Sequence, residues 1–147
     1  MNSQFPELVP RLESYATIKT WRERHGRYRM QGSRCKKCNE IWFPSRDALI
    51  CPKCQSREFI PYECARTGEV LTVQHEIMGY PAMGYGELSP RKIVMIKLDD
   101  GVTIISEVVD CAAEEVKPGT KVKMAFRKHK REENGCWMYG YKFVLNK

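Results

Sequence analysis

A mainly β chain is predicted from three observations: two Cys-x-x-Cys pairs twelve residues apart, five later stretches of alternating apolar and polar residues, and turn signals between those stretches. They divide the 147 residues into an N-terminal helical arm at 1–27, a metal-bound ribbon at 28–62 and a five-stranded barrel at 63–147.

The arm comes first. Residues 1–16 carry Pro6 and Pro10 among scattered apolar side chains, a pattern that suits a segment lying on something better than an independent helix. From Thr17 to His25 a short helix is expected, with Thr17 or Thr20 as cap, Trp21 as anchor and Gly26 as its stop. Arg22, Arg24, Arg27 and Arg29 give this region a basic face, either solvated or in contact with a partner.

The ribbon is organised by Cys35, Cys38, Cys51 and Cys54. Two residues between cysteines let a tight turn aim both sulfurs at one ion, and two such turns complete a tetrahedron. Asn39 tolerates the left-handed backbone such a knuckle needs. Zinc is the expected metal, with iron, as in rubredoxin, or a redox pair as alternatives. Four protein ligands leave no open position for water or substrate, so the metal is expected to be structural. Tyr28–Ser33 and Glu40–Phe43 read as flanking strands, with Phe43 over the metal. Arg46 is either a surface charge or a contact to phosphate or carboxylate. A ribbon this small depends on its ion for a stable core.

The barrel strands are expected at 68–78, 92–98, 102–109, 121–128 and 136–145. Asp99-Asp100-Gly101 closes a hairpin between the second and third, and Ala112–Val116 forms one helical turn before the fourth. Five strands with a long first loop and a short helix between the third and fourth match an OB-fold barrel. Its interior is expected to hold Val70, Val94, Ile96, Ile104, Val108, Val122, Met124, Phe143 and Leu145.

Seven cysteines leave Cys64, Cys111 and Cys136 as an odd set, suited to reduced thiols. There is no apolar run of about eighteen residues and no charged-then-apolar leader, which predicts no membrane span and a soluble, cytoplasmic protein. The formal charge of +7 calls for an anionic partner. Single-stranded nucleic acid is one class, but the second and third barrel strands carry no aromatic ring for base stacking. Trp137, Tyr139, Tyr141 and Phe143 share one face of the last strand and read as packing. The run Arg127–Arg131 reads as a solvated hairpin tip. No glycine loop for phosphate, nucleophile elbow or acid–histidine pair is found, so a catalyst acting alone is not expected. His75 beside Glu76 reads as structural.

Several motifs resemble a family long catalogued as a domain of unknown function. They are Trp21-Arg22-Glu23-Arg24, Arg27-Tyr28, Gly32-Ser33-Arg34-Cys35, Phe43-Pro44-Ser45-Arg46, Cys51-Pro52-Lys53-Cys54, Val109-Asp110-Cys111 and Tyr139-Gly140-Tyr141-Lys142-Phe143. Members join a rubredoxin-like zinc ribbon to an OB barrel and act with acyl-CoA enzymes. The archaeal branch, which this chain is most similar to, links acetoacetyl-CoA thiolase to HMG-CoA synthase in the mevalonate route to isoprenoids. Ser45 stands where a second proline is usual, and Asn39 and Gln55 where the knuckles often have glycine. The resemblance implies a non-catalytic scaffold that binds coenzyme A or acyl-CoA and passes an intermediate between two enzymes. Arg46, Tyr80, Tyr85, Arg91 and Lys92 are the candidate contacts to coenzyme A or a partner. A nucleic-acid-binding module and an accessory subunit of another acyl-CoA enzyme are the alternatives.

Overall fold

The computed structural model describes residues 22–45, 49–76, 85–88, 90–131 and 135–146. Helix α1 spans Arg24–Arg29 and ends where Met30 turns left-handed at φ 56°, its N–H donating to the Gly26 carbonyl at 3.0 Å. The helix therefore runs through Gly26, which the sequence marks as its stop, and takes in Tyr28, which was expected in a strand. A Cβ on Gly26 would lie 3.3 Å from the Gln31 carbonyl oxygen, so the glycine serves the return of the next strand across the helix. Residues 1–21 of the arm, Trp21 among them, lie outside the described residues.

Strands β1 (Gln31–Cys35), β2 (Ile41–Trp42) and β3 (Phe59–Glu63) form an antiparallel sheet in the order β2-β1-β3. Gly32 is required there, because a Cβ would collide with the Trp42 carbonyl oxygen across the ladder. Phe43, expected over the metal, packs edge-on against Tyr141 of the barrel at 5.5 Å between ring centroids.

The barrel comprises β4 (Thr67–Glu76), β5 (Arg91–Leu98), β6 (Thr103–Glu107), β7 (Lys121–Arg131) and β8 (Trp137–Leu145), ordered β6-β5-β4-β7-β8. A parallel bridge from Val108 to Phe143 brings the two edges together, so the sheet is nearly closed, as an OB fold requires. β4 bends at a bulge between Val70 and Thr72. In the β5–β6 turn Gly101 takes φ 89°, and the Asp100 carboxylate accepts from the N–H groups of Ala65 (2.7 Å) and Val102 (3.3 Å). A single 3₁₀ turn at Ala113–Glu115 occupies the place of the expected helical turn. The basic run Arg127–Arg131 belongs to β7, paired with β8 and bulged between Lys128 and Lys130. It was expected as a hairpin tip; the ladder extends further than its apolar alternation does.

The barrel core holds Val70, Val94, Ile96, Ile104, Val108, Val122 and Phe143, with Met124 and Leu145 packed at its margin. Each fully buried aliphatic or aromatic side chain contributes about 1.5–3 kcal/mol. Leu98, Val116, Met30 and Cys64 join them. Met30 follows α1 and Cys64 follows β3, and the Cys64 N–H donates to the Met30 carbonyl at 3.0 Å. Met30 thus enters the core of the barrel from the ribbon side, with Ile41, Phe43 and Tyr62 packed against it.

Candidate metal centre and adjoining cleft

The sulfurs of Cys35, Cys38, Cys51 and Cys54 all lie within 4.8 Å of one another. Cys35 and Cys54 are 3.5 Å apart, and Cys38 and Cys51 are 3.7 Å apart. A tetrahedral zinc site with metal–sulfur bonds of about 2.3 Å has edges of about 3.8 Å, so the set is built to hold a metal such as zinc. Each knuckle is closed by a left-handed residue, Asn39 at φ 58° and Gln55 at φ 60°. Their N–H groups donate to the carbonyls of Cys35 (2.9 Å) and Cys51 (2.8 Å).

Charge supports the same assignment. The Cys38 amide, aided by that of Lys37, outweighs burial and lowers the Cys35 thiol. Burial works against ionisation of Cys51, but the Cys54 and Lys53 amides hold it at about 6. At Cys38 the Glu40 amide works downward, yet burial and the surrounding sulfurs push the thiol up to about 12. Two thiolates form readily and the others resist; a bound dication is what lets all four ionise. Lys53 reaches across to Glu40 at 2.5 Å and ties the second knuckle to the first.

Beside the ribbon, a cleft of about 950 Å³ runs between α1, the segment Phe43–Ser45 and the outer face of β5, β6, β7 and β8. Its floor is a buried ion network. Glu107 is 6% exposed and Lys142 3%, with Lys142 Nζ 2.6 Å from Glu107 Oε2. Arg91 Nε donates to Glu107 Oε1 at 2.8 Å, and its Nη2 also contacts that oxygen. Arg91 Nη1 lies 3.0 Å from Glu76 Oε2, but off the N–H axis, so this pair is held by charge without an aligned hydrogen bond. Burial pushes the Glu107 carboxyl up, but Lys142 and Arg91 outweigh it and hold the group below the ordinary glutamate range. Burial pushes the His129 imidazole down, so the ring is neutral at neutral pH.

Of the five candidate contacts, the fold brings two together: the Arg91 guanidinium lies 4.0 Å over the Tyr85 ring, which meets His129 edge-on at 6.0 Å. Lys92 alternates to the other face of β5, where its Nζ donates to the Cys111 carbonyl at 3.0 Å. Arg46 and Tyr80 lie outside the described residues. The residues that sequence reasoning missed are Glu76, Glu107, His129 and Lys142. Glu107 and Lys142 stand at outward positions of their strands, one residue out of phase with Val108 and Phe143, and such positions normally read as solvated. The aromatic residues of β8 divide: Phe143 is core, Tyr141 packs on Phe43, Trp137 lies under Lys128, and Tyr139 stays exposed.

Among the described residues no helix is long and apolar enough to cross a membrane. A family model described as "ChsH2, C-terminal OB-fold domain" matches residues 62–127. A "DUF35 domain-containing scaffold protein" of Methanothermobacter thermautotrophicus is 32% identical, covering 86% of this chain and 94% of that protein. One of the same description from Methanocaldococcus jannaschii is 34% identical, covering 90% of this chain and 92% of its own length. The solved structure "Ltp2-ChsH2(DUF35) aldolase" superposes over 95% of this chain and all of its own, with a TM-score of 0.66 at 18% identity, a likeness of fold.

Proposed function

Because this chain belongs to the DUF35 family of zinc-ribbon plus OB-fold proteins, we propose that it is a non-catalytic scaffold subunit that bridges acetoacetyl-CoA thiolase to HMG-CoA synthase and binds acyl-CoA. Two relatives that align with this chain over nearly their whole length are described as scaffold proteins. The metal in the ribbon is zinc, and it holds shape.

One structural observation carries the reading. The charges on the cleft floor are committed to one another, Glu107 to Lys142 and Arg91, and Arg91 also to Glu76. A carboxylate held this firmly in its ionised form is a poor proton carrier at neutral pH, whereas a satisfied floor under apolar walls such as Phe43, Ile93 and Ile105 suits binding. Arg91 on this floor, and Tyr85 whose ring it overlies, are the proposed contacts for the phosphates or pantetheine of coenzyme A, with Arg46, Tyr80 and Lys92 as the further candidates. Bridging makes chemical sense, because thiolase condensation is uphill and is drawn forward when its product passes directly to the synthase.

The test is co-expression of the full chain with both enzymes from the same source, followed by sizing and by thermal unfolding with acetyl-CoA. A ternary complex and a raised melting temperature with ligand are expected. Salt-sensitive binding to single-stranded oligonucleotide, with neither enzyme retained, would overturn the proposal in favour of a nucleic-acid module. Retention of a different acyl-CoA enzyme, such as an aldolase, would reassign the partner and keep the scaffold.

A further inference from the structure

Three aromatic rings stand together on the outside of the molecule: Tyr28 of α1, Phe126 of β7 and Tyr139 of β8, exposed by 41, 48 and 41%. Phe126 and Tyr139 stack with centroids 5.6 Å apart and planes 21° apart, and Tyr28 meets Phe126 edge-on at 5.3 Å. The cluster spans the helix and the barrel, so no single element explains it. Rings of this size left in water mark an interaction surface more often than chance placement, and tyrosines packed in advance lose little freedom when a partner arrives.

The shape and charge of the cluster select the partner. Each ring already has another ring against it, which makes a packed knob, whereas single-stranded nucleic acid needs separate faces on which bases stack. On α1 the Glu23 carboxylate is paired with Arg27, and Arg127, which alternates to the other face of β7 from Phe126, is paired with Asp110. Arg29 next to Tyr28, and Lys128 opposite Tyr139 in the ladder, have no carboxylate partner among the described residues. The rim is therefore cationic, and a second copy of a chain with formal charge +7 would meet it with like charge.

We infer that this aromatic knob with its cationic rim is a docking surface for a folded protein whose matching face is an apolar hollow ringed by carboxylates. The inference rests on the bridging reading, in which that protein is one of the two enzymes.

The experiment titrates the full-length zinc-loaded chain with purified thiolase and, separately, purified synthase at low and moderate salt. It compares wild type, Phe126→Ala, Lys128→Glu and, as a control, Leu71→Ala, whose side chain is comparably exposed at 40% on β4. Metal content and melting temperature establish that each variant is folded. Phe126→Ala is expected to weaken binding to one enzyme by about thirtyfold or more, as removal of an interface hot spot does. Lys128→Glu is expected to weaken it and to reduce its salt dependence, with Leu71→Ala unchanged. If both knob variants bind both enzymes as wild type does, the inference fails while bridging survives. If wild type binds neither enzyme, both fail. Loss of oligonucleotide binding or of self-association in Phe126→Ala, with enzyme affinity intact, would also overturn it by assigning the knob to nucleic acid or to a second copy.

Discussion

Glu107 has Lys142 against one carboxylate oxygen and Arg91 against the other. Burial by itself would favour the protonated acid, and the two cations reverse that preference. A carboxyl that binds its proton more weakly folded than unfolded stabilises the fold fully above the ordinary glutamate value of about 4.3. That contribution is lost as pH falls through the lower folded value. Unfolding measured from neutral to acid pH should therefore show stability falling below about pH 4, and Glu107→Gln should remove part of this acid dependence. At pH 7 the same substitution leaves Lys142 buried beside a neutral amide and is expected to cost about 3 kcal/mol, read from urea unfolding. None of this was legible at the residue level. Glu107 and Lys142 look like ordinary outward strand residues until β5, β6 and β8 bring them together with Arg91. The clustering of the four cysteines was legible, because the spacing of cysteines within a turn is itself the geometric constraint.

Among the elements, β1 shows how little tolerance the ribbon has. It pairs with β2 on one side and β3 on the other, and Gly32 faces the Trp42 carbonyl with no room for a Cβ. Gly32→Ala must push β2 away or twist β1, and either motion shifts Cys35 at the end of the same strand. The expected cost is about 1–3 kcal/mol, seen as a lower melting temperature together with weaker metal retention against a competing chelator. A variant that holds zinc like wild type would show that the ladder absorbs the added methyl. The strands themselves were largely readable from period-two alternation and from the Asp-Gly turn. Helix α1 was not: Gly26 reads locally as a stop, but the actual terminator is Met30, whose left-handed backbone is maintained because its side chain is fully buried in the shared core.

At the scale of the molecule, the sheet that carries the four-cysteine cluster is joined to the barrel core through Met30 and Cys64, which flank β1 and β3. Chelation under reducing conditions is expected to release about one metal per chain and to lower the melting temperature, since binding energy at such a site is folding energy. In the proposed complex, zinc removal should separate the enzymes while each retains its own turnover, measured by sizing and by separate assays. An intact complex after verified metal loss would show that docking does not pass through the ribbon.

The sequence alone determined the four-cysteine cluster, the order of strands along the chain, the barrel class and most of the apolar core. Those features depend on short-range spacing and on a period of two, which a chain displays without folding. Only the tertiary structure decided that Arg91, Glu107 and Lys142 form one buried network and that Tyr28, Phe126 and Tyr139 form one exposed knob. Both depend on which strands, and for the knob which helix, meet on the outer face of the barrel, and contacts between distant segments leave no periodic mark in either one.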